Sequence, residues 1–123
     1  MEVTGFCNIK CKHCYNFWRG DWLDKDYSDN VHSSHMTLDT ANKLFSEIKE
    51  HKIKSIVITG GEPLLNYKIV KHLLILAKEN HINMSMNSNL TYINDQIARE
   101  LKELGLRRIL TSFMVHARKC TNW

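Results

Sequence analysis

Strand-like and helix-like segments alternate along most of this 123-residue chain, and that alternation limits the fold more than any other feature. Short apolar runs stand at about 55–59 (SIVIT), 82–86 (INMSM) and 108–112 (RILTS). Ahead of the first, Leu38, Ala41, Leu44, Phe45 and Ile48 recur at helical spacing behind Thr37, a good N-cap residue. A second helix is predicted from Asn66, with Ile69, Val70, Leu73, Leu76 and Ala77 on its apolar side. Ile93, Ile97, Leu101 and Leu104 mark a third helix, which Gly105 stops. With MEVT as a first strand, the order is β, α, β, α, β, α, β. That order predicts βαβ units, a parallel sheet and right-handed crossovers. SIVIT, being β-branched, is expected as a buried strand.

The length fits one domain, 1–123. Residues 15–36 stand apart as a long aromatic and acidic loop without a period, and loops of that length often carry function. The net charge of +4 is spread among interleaved acids and bases, so no nucleic-acid surface is expected. The longest apolar run, Leu73 to Ala77, is far too short to cross a bilayer, and no secretory signal precedes the cysteines. A cytoplasmic protein without a membrane contact is the expectation.

Three of the four cysteines, Cys7, Cys11 and Cys14, fall within eight positions in GFCNIKCKHCYNFW. They are too bunched to staple distant segments, so a metal or cluster is expected rather than disulfides. Thiolates suit zinc, copper(I) and iron–sulfur clusters. A structural zinc site wants four protein ligands. Here there is one triplet, and His13 lies strained between two of its members. A four-iron cluster with one iron left open fits the count better.

The polar motifs fall at the C-terminal ends of the strands, where parallel α/β folds build their sites. The cysteine loop follows the first strand, GGEP (60–63) the second and NSN (87–89) the third, while Thr111 and Ser112 close the fourth. GGEP reads otherwise as a tight turn into a helix, and NSN as a polar turn capping a strand. His32 and His35 read as solvated loop histidines before metal ligands. Phe17, Trp18 and Trp22 either line a substrate surface or pack the long loop. Cys120 reads as a bystander thiol.

CNIKCKHC, followed one strand later by TGGEPLL, resembles the radical S-adenosylmethionine (SAM) superfamily in both its three-cysteine and its glycine-rich motif. The resemblance covers all but the last ten or so residues. It implies an α/β fold, a partial (β/α) barrel of about four parallel strands and three helices, incomplete beside the family's six units. It also implies that Cys7, Cys11 and Cys14 ligate a [4Fe-4S] cluster whose fourth iron is chelated by SAM. Gly60, Gly61, Glu62 and Pro63 would form the motif that receives the methionyl amine. His13 would stand near the adenine, and Asn87, Ser88 and Ser112 near the methionyl carboxylate or the ribose.

The implied chemistry is one-electron cleavage of SAM to a 5′-deoxyadenosyl radical, which abstracts hydrogen from substrate. The implied electron donor is a flavodoxin or ferredoxin. CYNFWRG and the following loop resemble the SPASM-type maturases, so a peptide or protein substrate is one expectation. A glycyl-radical activating enzyme and a non-catalytic module binding zinc or a cluster are the alternatives. A second chain completing the barrel is a further expected partner.

Overall fold

The computed structural model describes residues 1–9, 11, 14 and 35–111. Three parallel strands, β1 (Ser55–Ile58), β2 (Asn83–Asn87) and β3 (Leu106–Leu110), lie side by side in chain order. Helices α1 (Leu38–Glu50), α2 (Tyr67–Glu79) and α3 (Asp95–Glu103) precede them in turn. A sheet that grows in one direction without reversing its order is the barrel type of α/β fold, not the doubly wound type. The first expected strand is present as an extended segment paired alongside β1. Thr59 donates its N–H to Met1 and Val3 donates to Thr59, and Glu2 and Thr59 form a single parallel bridge.

Local chemistry sets each helix. Thr37 caps α1, its Oγ1 accepting the Thr40 N–H at 3.2 Å, and Asn94 caps α3 by accepting from Ile97 at 2.9 Å. A 3-10 turn at Pro63–Asn66 leads into α2, with proline placed where a missing N–H costs nothing. Gly105, at φ +89°, ends α3.

The core lies on one face of the sheet. Ile56 and Ile58 of β1, Met84 and Met86 of β2, and Val3 meet Ala41, Phe45 and Ile48 of α1. Ile69, Val70, Leu73, Leu74 and Ala77 of α2, together with Leu64, Ile82 and, from α3, Leu101, complete it. The other face carries Val57, 45% exposed, and Leu110, 65% exposed, with Ser85 between them only half-buried. β1 is therefore half-buried, and not the buried strand expected from its β-branched residues. All three helices cover the same side, so burial alternates with the two-residue strand period.

Three further expectations shift. Leu44 lies at the rim of α1, 36% exposed, whereas Leu74, not expected, is buried. β2 begins one residue later than expected. β3 begins at Leu106 rather than 108, because the backbone turns at Gly105 straight into the sheet. Met84 pairs with Leu106 and Ser85 with Arg108, leaving Arg107 as a bulge. Among the described residues no helix is long and apolar enough to cross a membrane.

Candidate functional site

The site is built where the N-terminal segment, β1 and β2 end together. Gly61 donates its N–H to the Thr4 carbonyl at 2.8 Å, and Glu62 donates to the Phe6 carbonyl at 2.7 Å. Two backbone bonds thus hold the GGEP turn against the residues that enter the cysteine loop. The glycines are required for this approach. A Cβ on Gly60, which sits at φ +146°, would run into the Thr4 carbonyl oxygen. A Cβ on Gly61 would run into the Phe6 carbonyl and stand 2.9 Å from the Cys7 nitrogen. The space that the absent side chains free is filled by the chain's own backbone at residues 4–7.

Glu62 is fully buried at 0% exposure, and its carboxylate accepts three hydrogen bonds. Oε1 accepts from the Leu64 N–H at 3.1 Å and from the Ser88 hydroxyl at 2.9 Å. Oε2 accepts from the Asn89 N–H at 2.7 Å. A buried carboxylate needs such donors. Three donors for about four lone-pair directions leave room for one more. Ser88 in turn accepts from the Leu90 N–H at 3.0 Å. Asn87, the last residue of β2, is half-buried on the open side of the sheet.

Cys7, Cys11 and Cys14 are free thiols, each half-buried. Cys14 donates its N–H to the Cys11 carbonyl at 3.1 Å, so these two share a tight turn. Burial pushes the Cys7 thiol above its ordinary range. The Ile9 N–H pulls the other way, the Glu62 carboxylate adds to the rise, the Asn89 amide opposes it, and Cys11 adds slightly. Among the described residues, no three His, Cys, Asp or Glu side chains converge closely enough to hold a single ion. A cluster makes a different demand, since each thiolate meets its own iron. Three reduced, partly accessible soft donors at one strand end fit such a group.

The structure thus brings together Cys7, the GGEP turn and Ser88, with Asn87 one residue before. His13 and Ser112 lie outside the described residues, as do His32, Cys120 and the aromatic residues Phe17, Trp18 and Trp22. His35 is described: its ring stacks at a tilt on Phe6, with centroids 4.9 Å apart, and its backbone bridges to Thr4. Asn66 was read only as a helix start, yet its Nδ2 donates to the carbonyls of Val3 at 3.0 Å and Met36 at 3.1 Å. It ties the N-terminal segment to the entry of α1.

Asn89 was read only as part of the NSN triplet, without a role of its own. It contacts Glu62 through its backbone and Cys7 through its side chain. The available signal was its place in a polar triplet ending the strand next to GGEP. A cavity of about 280 Å³, bordered by His81, Asn83, Gly105 and Arg107, lies at the opposite end of the strands and belongs to no part of this site.

Comparison with known proteins adds an independent line. The Radical SAM superfamily profile matches residues 1–114. The GTP 3′,8-cyclase of Clostridium perfringens (strain 13) is 31% identical over 111 residues, covering 89% of this chain and 32% of that protein. A probable GTP 3′,8-cyclase of Methanococcus maripaludis (strain S2) is 27% identical over 112 residues, 91% of this chain and 34% of its own. An uncharacterised protein of Methanocaldococcus jannaschii is 29% identical over 113 residues, 87% and 35% respectively. The chain spans about a third of the length of these relatives. No solved structure matches it.

Proposed function

Because the chain belongs to the radical SAM superfamily, we propose that Cys7, Cys11 and Cys14 hold a [4Fe-4S] cluster and that SAM binds beside it at the strand ends. Members of this enzyme family bind both groups. The observation that carries the reading is the junction of the two loops, with Gly61 and Glu62 bonded to Thr4 and Phe6 directly ahead of Cys7. The three thiolates would hold the cluster and leave one iron open to SAM. When bound, the pair supplies reductive cleavage of the sulfonium carbon–sulfur bond and hydrogen-atom abstraction from substrate.

The chain's own residues supply geometry. Gly60 and Gly61 let the cysteine loop seat on the GGEP turn, and Glu62 fixes that turn to the end of β2. Asn87 presents an amide group at that strand end, suited to a carboxylate or ribose hydroxyls, and Ser88, whose hydroxyl is donated to Glu62, holds the turn beside it. His13 near the adenine and Ser112 beyond β3 complete the set by resemblance.

For the substrate, the relatives named GTP 3′,8-cyclase support a purine nucleotide, GTP first. The peptide reading rests on CYNFWRG, nearly all of which lies outside the described residues. A one-electron donor of the flavodoxin or ferredoxin type is the partner this chemistry requires, and a reducing cytoplasm is its setting. The uncovered sheet face at Val57 and Leu110 supports further barrel units, from the same polypeptide or a second chain.

The test is anaerobic reconstitution with iron and sulfide, followed by reduction and addition of SAM. Equal uptake of iron and sulfide, charge-transfer absorption and release of 5′-deoxyadenosine are expected, and Cys11→Ala abolishes all three. Deuterated GTP should pass its label into the deoxyadenosine, whereas unlabelled product would remove the nucleotide assignment. Stoichiometric zinc without deoxyadenosine would overturn the reading as a whole.

A further inference from the structure

The Asn89 side chain occupies a position that the cluster reading does not explain. Its Nδ2 donates to Cys7 Sγ at 3.7 Å and to Asn8 Oδ1 at 3.0 Å. Its Oδ1 accepts from the Thr91 N–H at 3.0 Å and from the Thr91 hydroxyl at 2.6 Å. Asn8 Nδ2 closes the circuit by donating to Thr91 Oγ1 at 2.7 Å. The circuit decides which end of the amide faces the sulfur. Two donors occupy the oxygen of Asn89, so the NH₂ group is the end turned to Cys7. Each member of the circuit both donates and accepts, which polarises the bonds in one sense.

The backbone holds the same side chain in place from below. Asn89 donates its N–H to the buried Glu62 carboxylate at 2.7 Å. The next residue, Leu90, stands at φ +63°, a left-handed conformation that leucine rarely adopts. Strain of this kind persists where surrounding bonds over-determine it, often beside a functional group.

We infer that Asn89 is a positioning residue for the cluster, whose amide N–H, donated to the Cys7 thiolate, raises the cluster's reduction potential. The inference rests on the reading of Cys7 as an iron ligand. An electron entering an iron–sulfur cluster spreads onto its thiolate sulfurs, and a donor aimed at one of them favours the reduced, more negative state. The Glu62 carboxylate opposes extra negative charge at Cys7. Asn89 counters it twice, by capping that carboxylate with its backbone N–H and by facing the sulfur with its side chain.

The test measures potential rather than turnover. Asn89→Ala and Asn89→Asp are reconstituted beside the wild type, iron and sulfide are counted, and the midpoint is read by an electron-paramagnetic-resonance titration. Asn89→Asp keeps the oxygen that Thr91 binds and the backbone bond to Glu62, but it adds a negative charge beside the sulfur, so Asn89→Ala isolates the donor. Both variants should load like the wild type; Asn89→Ala should favour reduction roughly tenfold less, a midpoint about 59 mV more negative for one electron, and Asn89→Asp should fall further. Full loading with an unchanged midpoint in Asn89→Ala, whatever the Asp variant shows, would overturn the inference while leaving the cluster reading intact. Loss of loading in both variants, with the far-ultraviolet spectrum unchanged, would also overturn it in favour of a purely structural role. Failure of the wild type itself to load would overturn both.

Discussion

Glu62 and Asn89 are joined by a 2.7 Å hydrogen bond from the Asn89 backbone to the Glu62 carboxylate, and this bond fastens the turn after β1 to the turn after β2. Replacing the carboxylate by an amide turns one acceptor into a donor that faces another donor inside the protein. Glu62→Gln should cost about 1–3 kcal/mol, the scale of a buried unsatisfied group. Ser88→Ala, which removes one of the three donors, should cost about 0.5–1.5 kcal/mol. Urea midpoints read both. Hydrogen exchange at the Asn89 amide adds a local check, since unchanged protection in Glu62→Gln would contradict the arrangement.

The glycine pair should tolerate nothing larger. Gly61→Ala forces the new methyl into the Phe6 peptide, so the turn and the cysteine loop must separate. A loss of about 1–3 kcal/mol is expected from overpacking. Gly60→Ala adds the strain of a side chain at φ +146° and should cost at least as much. An unchanged denaturation midpoint in either variant would mean that the two loops do not meet as described.

A third expectation concerns pH. Tyr67 donates its hydroxyl to Glu100 Oε2 at 2.7 Å, and the Lys71 ammonium lies 3.6 Å from the same oxygen and 4.9 Å from the centre of the Tyr67 ring. The Tyr67 bond, then that of Gln96, holds the Glu100 carboxyl below its usual range. Burial, then the bond to Glu100, pushes the Tyr67 phenol well above its own. The Glu100 contribution is complete above an ordinary glutamate value of about 4.3 and is lost as pH falls through the depressed one. The Tyr67 contribution is complete below an ordinary phenol value of about 10 and is lost only as pH rises through the elevated one. Tyr67→Phe should therefore lower the urea midpoint at neutral pH, with a gap that narrows as pH drops below about 4. A gap of constant size from neutral to acid would refute the assignment.

Helix α3 offers a fourth check, because Leu101 is its only fully buried residue. A helix that buries so little depends more on its cap. Asn94→Ala should cost about 1 kcal/mol and speed amide exchange across Asp95–Glu103 first. Uniform acceleration throughout the chain would instead mark α3 as an inseparable part of the core.

What the sequence disclosed and what it withheld divide along physical lines. Family membership was legible because the three-cysteine motif lies within eight positions, and the roles of Thr37 and Gly105 were legible because caps act locally. Leu44 was misplaced because spacing defines a stripe without its edges, and the edge depends on how α1 seats on α2. The internal partners of Glu62 stayed hidden, since nothing in GGEP reveals that Ser88 and Asn89 arrive from β2. The link from Asn89 to Cys7 spans 82 positions and rests on a side-chain direction that no pattern encodes. β3 began early because Gly105 redirects the backbone immediately, whereas the apolar run had suggested a start near 108.

The seam between the cysteine loop and the GGEP turn is made of main chain on one side and of missing side chains on the other. That construction gives the two sides unequal freedom to vary. The Gly61 and Glu62 bonds to Thr4 and Phe6 use only peptide groups, so substituting the Phe6 side chain leaves them available. The same seam admits no methyl at positions 60 and 61, because the vacant volume is already occupied by peptide. A mutational library scored for folding alone, with no cofactor present, should therefore show tolerance at position 6 and near-total depletion at the two glycines.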